Sequence, residues 1–315
     1  THALVEWVAL HVSDFARDSG QFTLSGVAND WPEQGLEVLE ALAFTHRFND
    51  TADPAVIEEA RLPLINRLQA SFYTFADRAA LNIGASEVTY RHLHARASAI
   101  QQQLRPLLET AQTPAVVGVC LEKSIELYAS ILAVLGCGAV YLPLDPEHPT
   151  HRQQTMLDIA GARVLLDTGQ HPLRGRLTSL DVSSNDHRDA AIARPLVHVR
   201  PHIDAPCMMF FTSGTTGQPK GVLLSQANLA HFTAWFRSCV SLDEQGRVLQ
   251  FSPLSFDSSL IDIFPALIAG ATLIVPSAEQ RQDPQQLLDL LHRQRVTHAF
   301  LPPALLSILP LGQPL

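Results

Sequence analysis

Phe211-Thr212-Ser213-Gly214-Thr215-Thr216-Gly217-Gln218-Pro219-Lys220-Gly221-Val222 is the stretch that decides how the rest of the chain is read. An apolar run from Cys207 to Phe211 leads into it, and apolar residues resume at Val222-Leu223-Leu224. The pattern predicts a strand, an exposed loop and a second strand. The loop's composition suits an oligophosphate. Gly214 and Gly217 free the backbone to turn N–H groups toward an anion. Thr212, Ser213, Thr215 and Thr216 add hydroxyl donors, and Lys220 adds a mobile positive charge. A Walker loop would run G-x-x-x-x-G-K-[ST] into a helix. Here Pro219 separates the second glycine from the lysine, and it biases Gln218 away from helix. Clusters of Gly, Ser and Thr also make plain surface turns. The full string, with its single lysine, is more specific than such a cluster.

The string resembles the phosphate loop of the adenylate-forming superfamily, which includes acyl-CoA synthetases, luciferases and the adenylation domains of nonribosomal peptide synthetases. The resemblance implies that Thr212, Ser213, Gly214, Thr215, Thr216, Gly217 and Lys220 hold the β- and γ-phosphates of ATP, brought with Mg2+, and that the loop closes over them. A second stretch, residues 130–150, is similar to the peptide-synthetase run in which a helix ends in a small-residue turn before a "YLPLDP" strand. The family usually has a lysine and an alanine before the glycine. Gly136 and Cys137 stand there in this chain, a change read as packing or surface. Pro143 and Pro146 would stop a strand in any case.

Phe256-Asp257-Ser258-Ser259 carries the substrate reading. From the residues alone, Asp257 ahead of the apolar Leu260-Ile261 is a good helix N-cap. The segment is also similar to the "FDxS" element of domains that activate amino acids. There the aspartate pairs with the substrate's α-ammonium group, which on leaving water needs a charge-assisted partner. Acyl-CoA synthetases have no such ammonium to meet, so Asp257 separates the two branches. Leu301-Pro302-Pro303 resembles the family's "LPP" element, and the residue before it, Phe300, would line the pocket. Ser258 and Ile261, three apart on one helix, would line it too. A pocket of Ser258, Ile261 and Phe300 is mainly apolar, which implies an uncharged, aliphatic amino acid. Asp262 holds a place where the family often has glutamate, and Gln226 one where histidine is common.

Length and composition agree with this reading. The chain has 315 residues, 46% hydrophobic and 17% charged, in the range of a globular protein of one large or two ordinary domains. A net charge of −9 argues against nucleic acid or an anionic membrane as the main partner. No apolar run reaches the roughly 18 residues of a membrane span, and no signal peptide is evident. Cys120, Cys137, Cys207 and Cys239 lie far apart with no C-x-x-C pattern, so buried free thiols in the cytoplasm are expected rather than a metal or disulfide framework. The histidines show no metal-binding spacing, and no metal ligand is assigned.

Residues 1–68 carry no chemical motif. Apolar spacing suggests helices over 4–17, around 36–43, and from Asp53-Pro54 onward. The segment is read as the tail of an upstream domain with a linker, the alternative being a helical cap. From 69 onward, strand and helix signals alternate through the chain, the rhythm of helices over a mostly parallel sheet. The fold class expected is therefore α/β, and the resemblance, covering about 70–315, implies the N-terminal subdomain of the adenylate-forming fold. No Tyr-Gly-Pro-Thr-Glu-type loop follows Leu305 and no catalytic lysine is assigned, so both are expected beyond Leu315. On this reading the chain is an incomplete adenylation domain, inactive alone. Its parent would make aminoacyl-AMP and load a phosphopantetheine on a peptidyl carrier domain. Two alternatives stand beside it: an acyl-CoA or aryl-acid ligase of the same superfamily, and a catalytically silent scaffold.

Overall fold

The computed structural model describes residues 53–108, 114–183, 202–213 and 219–310. The helices expected over 4–17 and 36–43 lie outside them. Pro54 to Leu315 forms one compact unit. It opens with α1 (Pro54–Glu59) and α2 (Leu64–Thr74), followed by the hairpin β1 (Ala79–Ile83) and β2 (Ser86–Thr89). Then come α3 (Tyr90–Leu108), β3 (Val116–Cys120), α4 (Ile125–Gly136), β4 (Val140–Leu144), α5 (Thr150–Ala160), β5 (Val164–Asp167) and β6 (Thr178–Asp181). The strands flanking the glycine- and threonine-rich loop are β7 (Pro206–Ser213) and β8 (Pro219–Ser225), and α6 (Gln226–Cys239) follows. The chain continues through β9 (Arg247–Leu249), α7 (Ser259–Ala269), β10 (Thr272–Val275), α8 (Ala278–Gln282), α9 (Pro284–Arg293), β11 (His298–Ala299) and α10 (Pro303–Leu306).

The strands form two sheets. One has the order β11-β9-β10-β1-β2 and the other β6-β5-β3-β4-β7-β8. Every pairing is parallel except β1–β2 and β7–β8, the two tight hairpins. The α/β class with mostly parallel sheets thus stands. Short connections explain the exceptions, since only antiparallel neighbours can be joined by a tight turn.

Side-chain alternation on the second sheet explains its layering. Val117, Val119, Tyr141, Met208 and Phe210 face a core that also takes in α2, α3, α4, α7 and the first sheet's Leu81 and Leu273. Val140, Leu142, Leu165 and Met209 point the other way, onto Met156 and Leu157 of α5. Both faces are apolar because both are covered, as parallel sheets require. On the outer face of the first sheet, Leu249 and Ile274 pack with Leu287, Leu290 and Leu291 of α9. Gly118 in β3 lets α5 approach closely: a Cβ there would lie 2.7 Å from Leu157 Cδ2.

The helix ends follow local sequence. Ser124 caps α4 by accepting the N–H of Leu127, Ser225 and Asn228 form a capping box on α6, and Asp283 accepts two N–H groups at the start of α9. Glu59 of α1 receives both Arg67 of α2 and Arg237 of α6. The thiols divide unevenly. Burial pushes Cys120, Cys137 and Cys207 up to about 12. Cys239, expected to be buried, is exposed. It is the last residue of α6, and its apolar neighbours in sequence mark a helix end rather than a core position.

Candidate functional site

In parallel sheets, ligand sites gather beyond the carboxyl ends of the strands. The sequence-derived residues stand there. Strand β7 runs parallel to β4 and ends at Thr212 and Ser213. In the β7–β8 hairpin Thr212 pairs with Lys220 and Ser213 with Pro219, so a hydroxyl residue and a lysine face each other at its mouth. Both Thr212 and Lys220 are exposed. The Lys220 ammonium has no partner among the described residues. Gly214, Thr215, Thr216 and Gly217 lie outside the described residues. The hairpin mouth suits the phosphates of a nucleotide: a free cation and a hydroxyl on adjacent strands, with nothing described that consumes either.

The substrate stretch leaves the end of β9. Residues 250–258 run without regular structure into α7, whose first residue is Ser259. Ser258 occupies the N-cap position and makes no side-chain cap bond. Asp257 is exposed, and its carbonyl accepts the N–H of Leu260 at 2.9 Å. Its carboxylate has no hydrogen-bond or ion-pair partner among the described residues, so it is not spent as a cap. Ser258 and Ile261 are both half-buried and joined by an N–H to carbonyl bond of 3.1 Å. Phe300 comes from the neighbouring strand. Ala299 of β11 pairs with Leu249 of β9, so Phe300 leaves its strand beside the start of the 250–258 stretch. Phe256, the residue before Asp257, and Phe300 are 61% and 47% exposed, two large apolar rings left uncovered.

Lys123 and Gln250 were not found by sequence reasoning, and Asp262 was noted there only as standing where the family often has glutamate. Lys123, just past β3, sends its ammonium to the carbonyls of Gln250, Phe251 and Ser252 at 3.0, 3.3 and 3.2 Å. Asp262 of α7 is 1% exposed, and its Oδ2 accepts the Ser252 N–H at 3.0 Å. Gln250, also fully buried, donates to the Ser252 carbonyl at 2.9 Å and to Asp262 Oδ2 at 3.4 Å, and accepts from the Tyr128 hydroxyl at 3.0 Å. Burial lowers Lys123 to about 7, with nearby Arg281 acting in the same direction and Asp262 against it. Burial raises Asp262 to about 6, opposed by its hydrogen bonds from Ser252 and Gln250 and by Lys123. A lone carboxylate in the otherwise apolar run Ser259 to Ala269 was the available signal for Asp262. Nothing local marks Lys123, whose partners lie more than a hundred residues away.

Gln226, where the family commonly has histidine, is buried and accepts the Ile65 N–H at 3.3 Å. It serves the packing of α6 on α2. Among the described residues no cluster of His, Cys, Asp and Glu is arranged to hold a metal. No described helix is long and apolar enough to cross a membrane.

Two mostly parallel sheets, with a hydroxyl-and-lysine hairpin at one strand end and a lone exposed carboxylate after another, define an α/β protein with a candidate site on the carboxyl side of its strands. A family model described as AMP-binding enzyme matches residues 68–314, and the chain belongs to that family. It is 31% identical over 288 residues to bacitracin synthase 3 of Bacillus licheniformis, an alignment covering 88% of this chain and 4% of that protein. Among solved structures it is similar to the nonribosomal peptide synthetase FmoA3. The AMPPNP-bound form matches at a TM-score of 0.69 and 30% identity, over 81% of this chain and 27% of that one. The form bound to α-methyl-L-serine-AMP matches at 0.73 and 27%, over 97% and 33%. An artificially fused adenylation–PCP di-domain, NpsA-ThdA from Klebsiella oxytoca, matches at 0.66 and 27%, over 76% and 47%. The chain therefore spans less than half the length of each of these proteins, and its fold matches an N-terminal part of adenylation domains in nonribosomal peptide synthetases.

Proposed function

We propose that this chain is the leading part of an adenylation domain that activates an amino acid as aminoacyl-AMP. The observation that carries the reading is Asp257: an exposed carboxylate just ahead of α7, unpartnered among the described residues and not used as a cap. In the reaction proposed, a carboxylate oxygen of the amino acid attacks the α-phosphorus of ATP, and the bond to the β-phosphate bridging oxygen breaks, releasing pyrophosphate. The acyl group then passes to the thiol of a phosphopantetheine on a peptidyl carrier domain, and AMP leaves. Catalysis of this kind rests on positioning and on neutralising charge at the phosphates. Thr212, Ser213 and Lys220, with Gly214, Thr215, Thr216 and Gly217, hold the outgoing pyrophosphate, and Mg2+ accompanies the nucleotide. Asp257 anchors the α-ammonium, while Ser258, Ile261 and Phe300 meet an uncharged, aliphatic side chain.

Similar proteins support the reading: FmoA3 has been solved bound to AMPPNP and to α-methyl-L-serine-AMP, and NpsA as an artificial fusion with a PCP. The adenylation domain begins near residue 68, after an upstream segment, and the setting is cytoplasmic. The reaction proposed is that of the full-length protein. Exchange of labelled pyrophosphate into ATP, run with the full-length protein and a panel of acids, tests this. Exchange should depend on aliphatic amino acids and remain at background with the same acids lacking the amino group. Equal exchange with both sets would make the protein an acyl-CoA or aryl-acid ligase instead.

A further inference from the structure

The carbonyls of residues 250–252 all have partners although the stretch has left the sheet. Ser252 gives its N–H to Asp262, and its carbonyl accepts from both Lys123 and Gln250. All three ammonium hydrogens of Lys123 go to successive carbonyls, the full donor capacity of that group. Lys123 lies in the connection that follows β3, a strand of the sheet that carries the β7–β8 hairpin, and Asp262 lies in the helix that follows the acidic loop. Strand β7 lies two positions from β3, about 10 Å away at ordinary strand spacing. Lys123 thus ties the start of the stretch that carries Asp257 to the β3–α4 connection of the other sheet.

We propose that Lys123 and Asp262 are positioning residues that fix the backbone of residues 250–258, and through it the place of Asp257, for the bound amino acid. The proposal rests on the reading of Asp257 as the ammonium anchor. Stability alone does not account for the pair. Each charge is penalised by burial, and such pairs are often replaceable by neutral groups at no loss of stability. Their surroundings offer little relief: Arg281 of α8 repels Lys123, and Tyr128 and Tyr141 are neutral phenols buried in the same region. Asp262 Oδ1 is buried with no hydrogen-bond partner among the described residues. A group tolerated at such cost is a candidate for setting geometry.

Two measurements on Lys123→Met, Lys123→Arg and the doubly neutral Lys123→Met/Asp262→Asn test this. The first is amide hydrogen exchange across residues 251–258 in the full chain. Both neutral variants should exchange about tenfold faster there, the factor expected from one lost charge-assisted hydrogen bond, with β10 and α4 unchanged and Lys123→Arg partly restored. Wild-type exchange in the folded double variant would overturn the proposal. So would acceleration spread evenly over the whole chain. The second is pyrophosphate exchange in the full-length protein. The amino acid KM should rise about tenfold in Lys123→Met with the ATP KM unchanged; an equal rise in both would also overturn it. If the wild-type protein activates no amino acid, the functional reading fails while loop exchange still decides the positioning role.

Discussion

The phosphate side and the substrate side of the candidate site are built in opposite ways. At the hairpin mouth, Thr212 and Lys220 are exposed and their setting is local: two strands joined by a short loop bring them into register. Behind the acidic loop, Lys123 is half-buried and Gln250 and Asp262 are fully buried, and the lysine comes from a distant stretch of the chain. The first arrangement leaves its charge free to meet a mobile ligand. The second uses its charges on the protein's own backbone. A charge needed for binding stays accessible, whereas a charge needed to shape a loop is buried with its partners.

Three substitutions and one pH series sharpen that contrast. Lys220→Met removes a charge aimed at the outgoing phosphates and should lower pyrophosphate exchange about 100-fold or more, with little change in the unfolding midpoint. A large loss of stability instead would make Lys220 structural. Gly118→Ala forces a methyl against Leu157 and Leu144, far from both rims. It should destabilise by about 1–3 kcal/mol in urea unfolding. Unchanged stability would mean that α5 shifts freely on the sheet. Ser225→Ala breaks the capping box directly after the hairpin and should cost about 1 kcal/mol by the same assay.

The pH series probes the buried side. Folded Lys123 titrates at about 7, below the ordinary lysine value, so the unfolded chain binds more protons between those two values. Its contribution therefore makes stability rise with pH across that window. Folded Asp262 titrates at about 6, above the ordinary carboxylate value, so the folded chain holds the extra proton and stability falls as pH rises toward 6. Urea midpoints from pH 4 to 10 (chosen to span both windows, roughly) should lose the alkaline rise in Lys123→Met and the acidic fall in Asp262→Asn. Parallel curves for all three proteins would contradict the burial of these charges.

The contrast also explains what was legible in the sequence. The β7–β8 hairpin, the capped helices and the alternation of apolar faces depend on neighbours a few residues apart, and periodicity and turn chemistry report them. Asp257, Ser258 and Phe300 were reached through resemblance to short elements. The structure adds that Phe300 leaves β11 beside the loop that leaves β9. The Lys123 network was invisible because Lys123 and Ser252 are 129 residues apart, and a lysine past a strand reads as an ordinary surface charge. The five-residue helix Ala278–Gln282 was also missed; its Ser277 cap and Gln280 form a box that is present in the sequence but short of any apolar stripe.

Asp257 is where the account is most exposed to refutation. The decisive measurement is the preference of the full-length protein for an aliphatic amino acid over its deaminated analogue, compared between wild type and Asp257→Ala by pyrophosphate exchange. Loss of the ammonium's partner should lower kcat/KM for the amino acid about 10- to 100-fold, leave the analogue unchanged, and so erase most of the preference. An intact preference in Asp257→Ala would contradict the assignment of this carboxylate, and with it the activation of amino acids at this site.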